Sequence, residues 1–394
     1  MTSKERILGA IKGEKIDRVP IYAPFVTGQV INPAHVIVGL QVSNVLQDGI
    51  NALDDWLTKD PNYLEIIKLA NEKCEKVWSY HFRELDRRFL LIPKEFIKVA
   101  KVKEESDSIL INYQIQTPKG NLEYVCQKYK GISTVWDRKY LIEDKKDVER
   151  ILSAPYTFQK PDMEDFFKYR REIEGKGGLI YIFVSIPMVC VSQLFRFEQF
   201  LMWCATEKST IVRLIEIAFE RIFEQLEYLL QNGVGPIFHF GGSEQATPPM
   251  MSPELYDELV VRYDSRLFDL VHRYGSYIAV HCHGRVGSIL NKLIDMGVDL
   301  LDPVEAPPSG DIEIGEAKRK AKGKITLVGN IQINDMETCT PEEIDEKVKE
   351  AICSGGKEKF ILATTEGPLS SVSDSMKDNY LQFIEAGIKY GKFN

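Results

Sequence analysis

Residues 277–305 read YIAVHCHGRVGSILNKLIDMGVDLLDPVE. A short apolar run at 277–280 ends in His281, Cys282, His283 and Gly284. A helix-like segment follows, and a second apolar run, 298–305, ends in Glu305. Short runs that are apolar on both faces are what a strand buried on both sides requires. The same unit recurs to either side, as LIYIFVSI (179–186), VGPIFHFGG (234–242), ITLVGNIQ (325–332) and FILATTEG (360–367). Between the runs lie helical patterns. Ile211, Leu214, Ile215, Ala218, Ile222, Leu226, Leu229 and Leu230 form one stripe, and Asn232-Gly233 stops it. Ser252-Pro253-Glu254 and Thr340-Pro341-Glu342 each read as an N-cap, a proline at the first helical position and an acid. Repeated strand-then-helix units make a parallel α/β protein. With RVPIYAPF (18–25) as a first strand, the count approaches eight. No GxGxxG or Walker loop occurs, so the usual nucleotide reason for an open sheet is missing. The expectation is a closed (β/α)8 barrel.

The N-terminal half breaks the rhythm. At about 96–140, ILINYQIQTPKGNLEYVCQKYKG alternates polar and apolar residues around Pro118-Lys119-Gly120. That pattern predicts an antiparallel hairpin or small sheet inserted between barrel elements, a candidate cover for the barrel mouth. No Pro/Ser-rich linker separates it, so residues 1–394 read as a single barrel domain carrying a β insertion. The basic run Lys318-Arg319-Lys320-Ala321-Lys322-Gly323-Lys324 reads as a solvated helix end.

Composition narrows the class. The chain is 44% hydrophobic and 27% charged, which is globular and excludes disorder. Its 394 residues suffice for a core without staples. The net charge of −8 argues against nucleic acid as a partner, since phosphate needs a dense positive surface. The seven cysteines are scattered and contain no CxxC, which favours a reducing cytoplasm over a disulfide framework. MTSKERILGAIKGEK lacks the apolar core of a signal peptide. The longest apolar stretch, 179–195, is broken by Ser185, Pro187, Ser192 and Gln193, too short to span a bilayer. The expected setting is cytoplasmic, away from membranes.

In a parallel barrel the active site lies at the C-terminal ends of the strands. Those ends carry His239, Glu244, His281, His283, Asp302, Glu305, Asn330 and Glu366. Residues two apart on a strand share a face, so His281 and His283 point together and Cys282 points away. Two imidazoles on one face can bind Zn²⁺ given a third ligand from another strand. Glu366 is the first candidate for that ligand and Glu244 the second. Two histidines, a carboxylate and an open position make a catalytic metal set. The same HxH also suits a hydrogen-bonded polar pair, and Glu366 and Glu305 also suit helix capping and a solvent loop. Glu244 and Asp302 are the expected catalytic carboxylates. His239, Glu305, Asn330 and Tyr380 are expected to contact a small-molecule substrate, with Asn379 beside Tyr380 at the mouth.

These residues sit within motifs that resemble the uroporphyrinogen decarboxylase superfamily, and within it the corrinoid-linked methyltransferase branch. ERILGAIKGEKIDRVPIY is similar to the family's opening helix, Asp-Arg-x-Pro and first strand. TPKGNLEYVCQKYKGISTVWDRKYLIEDKKDVERIL is similar to the branch's inserted hairpin and following helix. MMSPELYDELV, HCHGRVGSILNKLIDMGVDLLDP, GNIQINDMETCTPEEIDEKV and DNYLQFIEAG follow the family's order and spacing. The resemblance implies a TIM-type barrel.

The branch holds zinc through a His-x-Cys after one strand and a Cys at the end of the last. By that resemblance His281 is the first ligand. His283 and Glu366 stand where the family has cysteines. A His/His/Glu set makes a harder, more Lewis-acidic ion than thiolates do, suited to an oxygen substrate such as a methoxylated compound. The resemblance implies methyl transfer to or from a corrinoid. No cobalamin-binding DxHxxG occurs, so the corrinoid would sit on a partner protein. Two other readings remain open. One is a uroporphyrinogen decarboxylase-type enzyme of porphyrin biosynthesis using His281, His283 and Asp302. That enzyme's arginine-rich RQAGRY motif has no counterpart here, because the loop IYAPFVTGQVINPA carries no arginine to clamp propionates. The other is a non-catalytic ligand-binding barrel.

Overall fold

A computed structural model describes residues 1–24, 59–85, 90–132 and 134–393. The strands run in chain order as Ile21–Tyr22 (β1), Val77–Tyr80 (β2), Ile97–Glu104 (β3), Ser108–Thr117 (β4), Gly120–Tyr129 (β5) and Val135–Lys139 (β6). They continue as Leu179–Ser185 (β7), Ile237–Gly241 (β8), Tyr277–His281 (β9), Leu300–Val304 (β10), Thr326–Ile331 (β11) and Phe360–Thr364 (β12). Eight of them form one sheet in the order β1-β12-β11-β10-β9-β8-β7-β2, every pairing parallel. The ring is drawn together where the Glu75 N–H donates to the Ile21 carbonyl at 2.8 Å. This is the expected (β/α)8 barrel. Its eighth strand is β2, a four-residue segment. The first is shorter than RVPIYAPF suggests, and Phe25 onward lies outside the described residues. The loop IYAPFVTGQVINPA is therefore described only through Pro24.

The floor of the barrel is apolar. Val77, Leu179, Tyr181, Ile237, Ala279, Leu300, Val328 and Ile361 fill it, and Ile7, Ala10 and Ile11 of the helix Ser3–Lys12 plug it from below. A second apolar layer lies between the strands and the outer helices, where Ile211, Leu214, Ile215 and Leu226 of the helix Lys208–Gln231 are fully buried. The insertion is a four-stranded antiparallel sheet, β3-β4-β5-β6, richer than a hairpin. Its apolar face, Ile111, Ile115, Leu122 and Cys126, joins the core, and β4 and β5 pack on the helix Lys145–Ser153. Among the described residues no helix is long and apolar enough to cross a membrane.

Candidate active site at the barrel mouth

Alternation along the strands stacks polar residues directly above the floor. Ile237, Ala279 and Leu300 belong to the floor, and His239, His281 and Asp302 lie two residues further on. Register sets His281 beside Asp302, with Gly241 on its other side and His239 opposite Ala279, and the His239 and His281 rings meet at 5.6 Å. The Cys282 N–H donates to the Asp302 carbonyl at 2.8 Å and locks that pairing. Gly241 leaves room for the Phe183 ring, from which a Cβ would stand 3.1 Å, while the His281 Cβ would be in ordinary contact at 4.0 Å. Cys282 is fully buried in the outer core. Gly242, at φ 107°, then turns the chain into the short helical turn Ser243–Ala246 that carries Glu244.

The three side chains converge. His281 Nδ1 lies 3.5 Å, and His239 Nε2 3.8 Å, from the same oxygen, Asp302 Oδ2. Among the described residues, the ligand atoms of His239, His281 and Asp302 form the group whose members all lie within 4.8 Å of one another. Beyond it, His283 Nδ1 is 3.4 Å from Glu305 Oε2, and His283 Nε2 is 3.7 Å from Glu366 Oε2. The His281 and His283 rings meet edge to face at 4.6 Å. The compact set thus differs from the expected His281, His283 and Glu366. Lateral register brings Asp302 against His281, whereas Glu366 sits past the end of β12 and, among the described residues, has His283 as its ion-pair partner. Glu244 is half-buried near His281, and Asn330 lies in β11 opposite Ala363, partly exposed.

Two expectations are corrected. Tyr380 does not line the mouth. It is fully buried in the helix Asp374–Gly391 and donates its hydroxyl to the Glu366 carbonyl at 3.2 Å. Asn379 is equally buried and donates to the Met336 and Cys339 carbonyls. Both face inward because this helix packs on the barrel wall, so they support the last strand end from behind. Sequence reading also missed two mouth residues. Tyr22 ends β1 near Asp302 and Glu366, and burial together with the Asp302 charge pushes its hydroxyl well above its ordinary value. His81 follows β2, stacks on Phe183 at 4.8 Å and lies near His239. The signal for each was its place just after or at a strand end, obscured because those strands are so short.

Electrostatics separates the groups. Burial pushes His239 down to about 4, with the neighbouring His281 adding to it. Burial also opposes a charge on His281, but the Asp302 carboxylate, backed by Glu244 and Glu366, outweighs it and pushes His281 up to about 9. Burial raises Asp302 and Glu305, yet the histidines beside each hold both below their ordinary values. Glu366 is raised, chiefly by burial. Three buried polar atoms, His239 Nε2, His281 Nδ1 and Glu244 Oε2, have no hydrogen-bond partner among the described residues. Buried polar atoms are nearly always satisfied, so orphans gathered at one place suit a bound ion or water. Nitrogen and carboxylate donors of this kind fit a borderline divalent metal.

The support under Glu305 is tight. Its Oε2 accepts the Gly284 N–H at 2.6 Å, and the Gly310 N–H donates to the Ala306 carbonyl at 3.0 Å. A Cβ on Gly310 would lie 1.9 Å from the Glu305 carbonyl oxygen. Gly310→Ala is therefore expected to displace the Glu305 backbone, to cost about 1–3 kcal/mol and to lower turnover. Gly175→Ala, where a Cβ meets nothing within 4 Å, is the control. Matching denaturation midpoints and rates for the two variants would contradict this account of Glu305.

Residues 139–377 match the profile of the family described as uroporphyrinogen decarboxylase (URO-D). No curated protein matches the chain significantly. Among solved structures, the chain is similar to a methyltransferase from Methanosarcina mazei, at 17% identity and a TM-score of 0.61, with 99% of each chain covered. It is also similar to a B12-independent methionine synthase from a Shewanella species, at 15% identity and a TM-score of 0.40, with 75% of each chain covered.

Proposed function

Since the chain belongs to the uroporphyrinogen decarboxylase family, we propose that it is a metal-dependent methyltransferase. It would move a methyl group between a small substrate, such as a methoxylated compound, and a corrinoid held by a partner protein. The observation that carries this reading is the trio of orphaned buried atoms, His239 Nε2, His281 Nδ1 and Glu244 Oε2, beside Asp302. The full-length likeness to a methyltransferase supports it. His281 belongs both to the set the sequence suggests, with His283 and Glu366, and to the compact set, with His239 and Asp302. A divalent ion held there, zinc being the natural one, supplies Lewis acidity to the heteroatom that carries or receives the methyl group.

The remaining residues bind and orient. Glu305 holds His283 from its Nδ1 side and turns the opposite nitrogen toward Glu366. That places a proton-bearing pair at the rim for an oxygen leaving group. Phe183 lies against His81 and His239, and Tyr22 stands near Asp302 and Glu366, so aromatic rings border the polar groups.

Decarboxylation of a polycarboxylated ring is the competing reading, because the family bears that name. The mouth charge disfavours it. Among the described residues the ion-pair partners of Asp302, Glu305 and Glu366 are histidines, and these acids would repel propionates. The test is anaerobic purification followed by elemental analysis, with methyl-transfer assays on methoxylated donors and a reduced corrinoid protein. Stoichiometric metal and metal-dependent transfer are expected. Metal-free protein that removes carboxylates from uroporphyrinogen would replace this function with the other, and tight ligand binding with no product would indicate a binding barrel.

A further inference from the structure

Resting on the metal-dependent reading above, we propose that the ion is held by His239, His281 and Asp302, and that His283 stands apart from it on the substrate side. Four observations lead there. First, the three residues come from adjacent strands, β8, β9 and β10, each two residues beyond a floor residue of its own strand, with Asp302 opposite His281 and the His239 and His281 rings 5.6 Å apart. A rigid sheet therefore holds all three, which is what a precise ligand set requires.

Second, the spacing is that of ligands. His281 Nδ1 and His239 Nε2 stand 3.5 and 3.8 Å from Asp302 Oδ2. Those gaps exceed the usual hydrogen-bond length. Zinc bonds of about 2.0–2.1 Å in a tetrahedron set neighbouring donors roughly 3.3 Å apart. The ligand atoms of the two histidines lie within 4.8 Å of each other, so an inward movement of the side chains closes the set around an ion. Third, both imidazole atoms are buried and without a hydrogen-bond partner among the described residues. An ion between them satisfies both.

Fourth, His283 is already committed elsewhere. Its two ring nitrogens face different carboxylates, Nδ1 toward Glu305 and Nε2 toward Glu366. A single ion can take only one of these nitrogens. Each carboxylate is also anchored by backbone, Glu305 Oε2 by the Gly284 N–H and Glu366 Oε1 by the Gly367 N–H. The resulting set is two nitrogens and one oxygen with no sulfur, deeper in the barrel than the position of the HxH pair suggests. The outer His283, with its two acids, is left to meet substrate.

The test is metal binding by the full chain, read by calorimetry with Zn²⁺ and by the visible absorption of bound Co²⁺. His239→Asn and Asp302→Asn are expected to weaken binding by more than about a hundredfold, beyond what loss of an outer-shell partner costs. His283→Ala and Glu366→Gln are expected to retain it. Circular dichroism confirms folding, and X-ray absorption of zinc-loaded His283→Ala, still showing two imidazoles, gives an answer independent of the inner variants. Loss of binding in His283→Ala with retention in His239→Asn overturns this ligand set alone. A wild-type chain that takes up no ion overturns it together with the metal-dependent function.

Discussion

His281→Ala is expected to abolish metal binding and to lower turnover by more than about a hundredfold. His281 stands between Gly241 and Asp302 in the sheet register, so the strand on its Gly241 side offers no side chain to replace it. Its imidazole is also the main positive partner of a buried carboxylate. Asp302 is 6% exposed, and the remaining histidine nearest to it, His239, is kept neutral by burial. Without His281 the carboxylate loses its main cationic partner, and burial pushes it toward the neutral form, which weakens it as a ligand. The loss therefore propagates from one ligand to two. Elemental analysis and single-turnover methyl transfer check the result, with denaturation midpoints to separate chemistry from folding. A folded variant that keeps its ion and its rate would remove His281 from the centre.

Legibility followed the period of each element. Strands β7 to β12 are apolar on both faces and end in polar residues, so a parallel barrel was readable from their runs. Strand β2 escaped because Val77–Tyr80 is only four residues long and contains Ser79. The insertion was readable from its alternation, but not its strand number, since the outer strand Ile97–Glu104 is mostly exposed and carries lysines at 98, 101 and 103.

The site was half legible. Alternation by two places His239, His281 and Asp302 on the inner face of their own strands, and reading strand ends collects all three. Which of them touch depends on the lateral register between strands, and one strand's pattern carries no information about its neighbour's offset. That is why His283 and Glu366 were expected to complete the ligand set, and why the geometry favours His239 and Asp302. Tyr380 was misplaced for a related reason. A position near the start of a helix reads as solvent-facing until the wall it packs against is known.

Glu75→Ala is expected to destabilise the fold by about 3–5 kcal/mol, far from the mouth. Glu75 is completely buried between the helix Pro61–Lys73 and β2. Its Oε2 accepts Arg6 Nη1 and its Oε1 faces Arg18 Nη1, each at 2.7 Å, while the Ile21 N–H donates to Oε1 at 3.3 Å. The same residue's backbone N–H draws β1 and β2 together. Truncation takes the carboxylate partner from the largely buried Arg18 and leaves Arg6 with Asp17 alone, and an uncompensated buried charge costs more than the pair contributes. Glu75→Gln keeps the acceptor and removes the charge, so a smaller loss, about 1–3 kcal/mol, is expected. Asp17 tells the same story from the acid side. Its hydrogen bond from Arg6 holds the carboxyl below the ordinary range. Its contribution is therefore present above the unfolded value of about 3.9 and fades as pH falls toward the folded one. Because the network lies at the N-terminal ends of the strands, folded Glu75→Ala should keep its full metal content. Equal stability for wild type and Glu75→Ala in urea would mean that the ring is closed by packing alone, while metal loss in the folded variant would mean that floor and mouth are coupled.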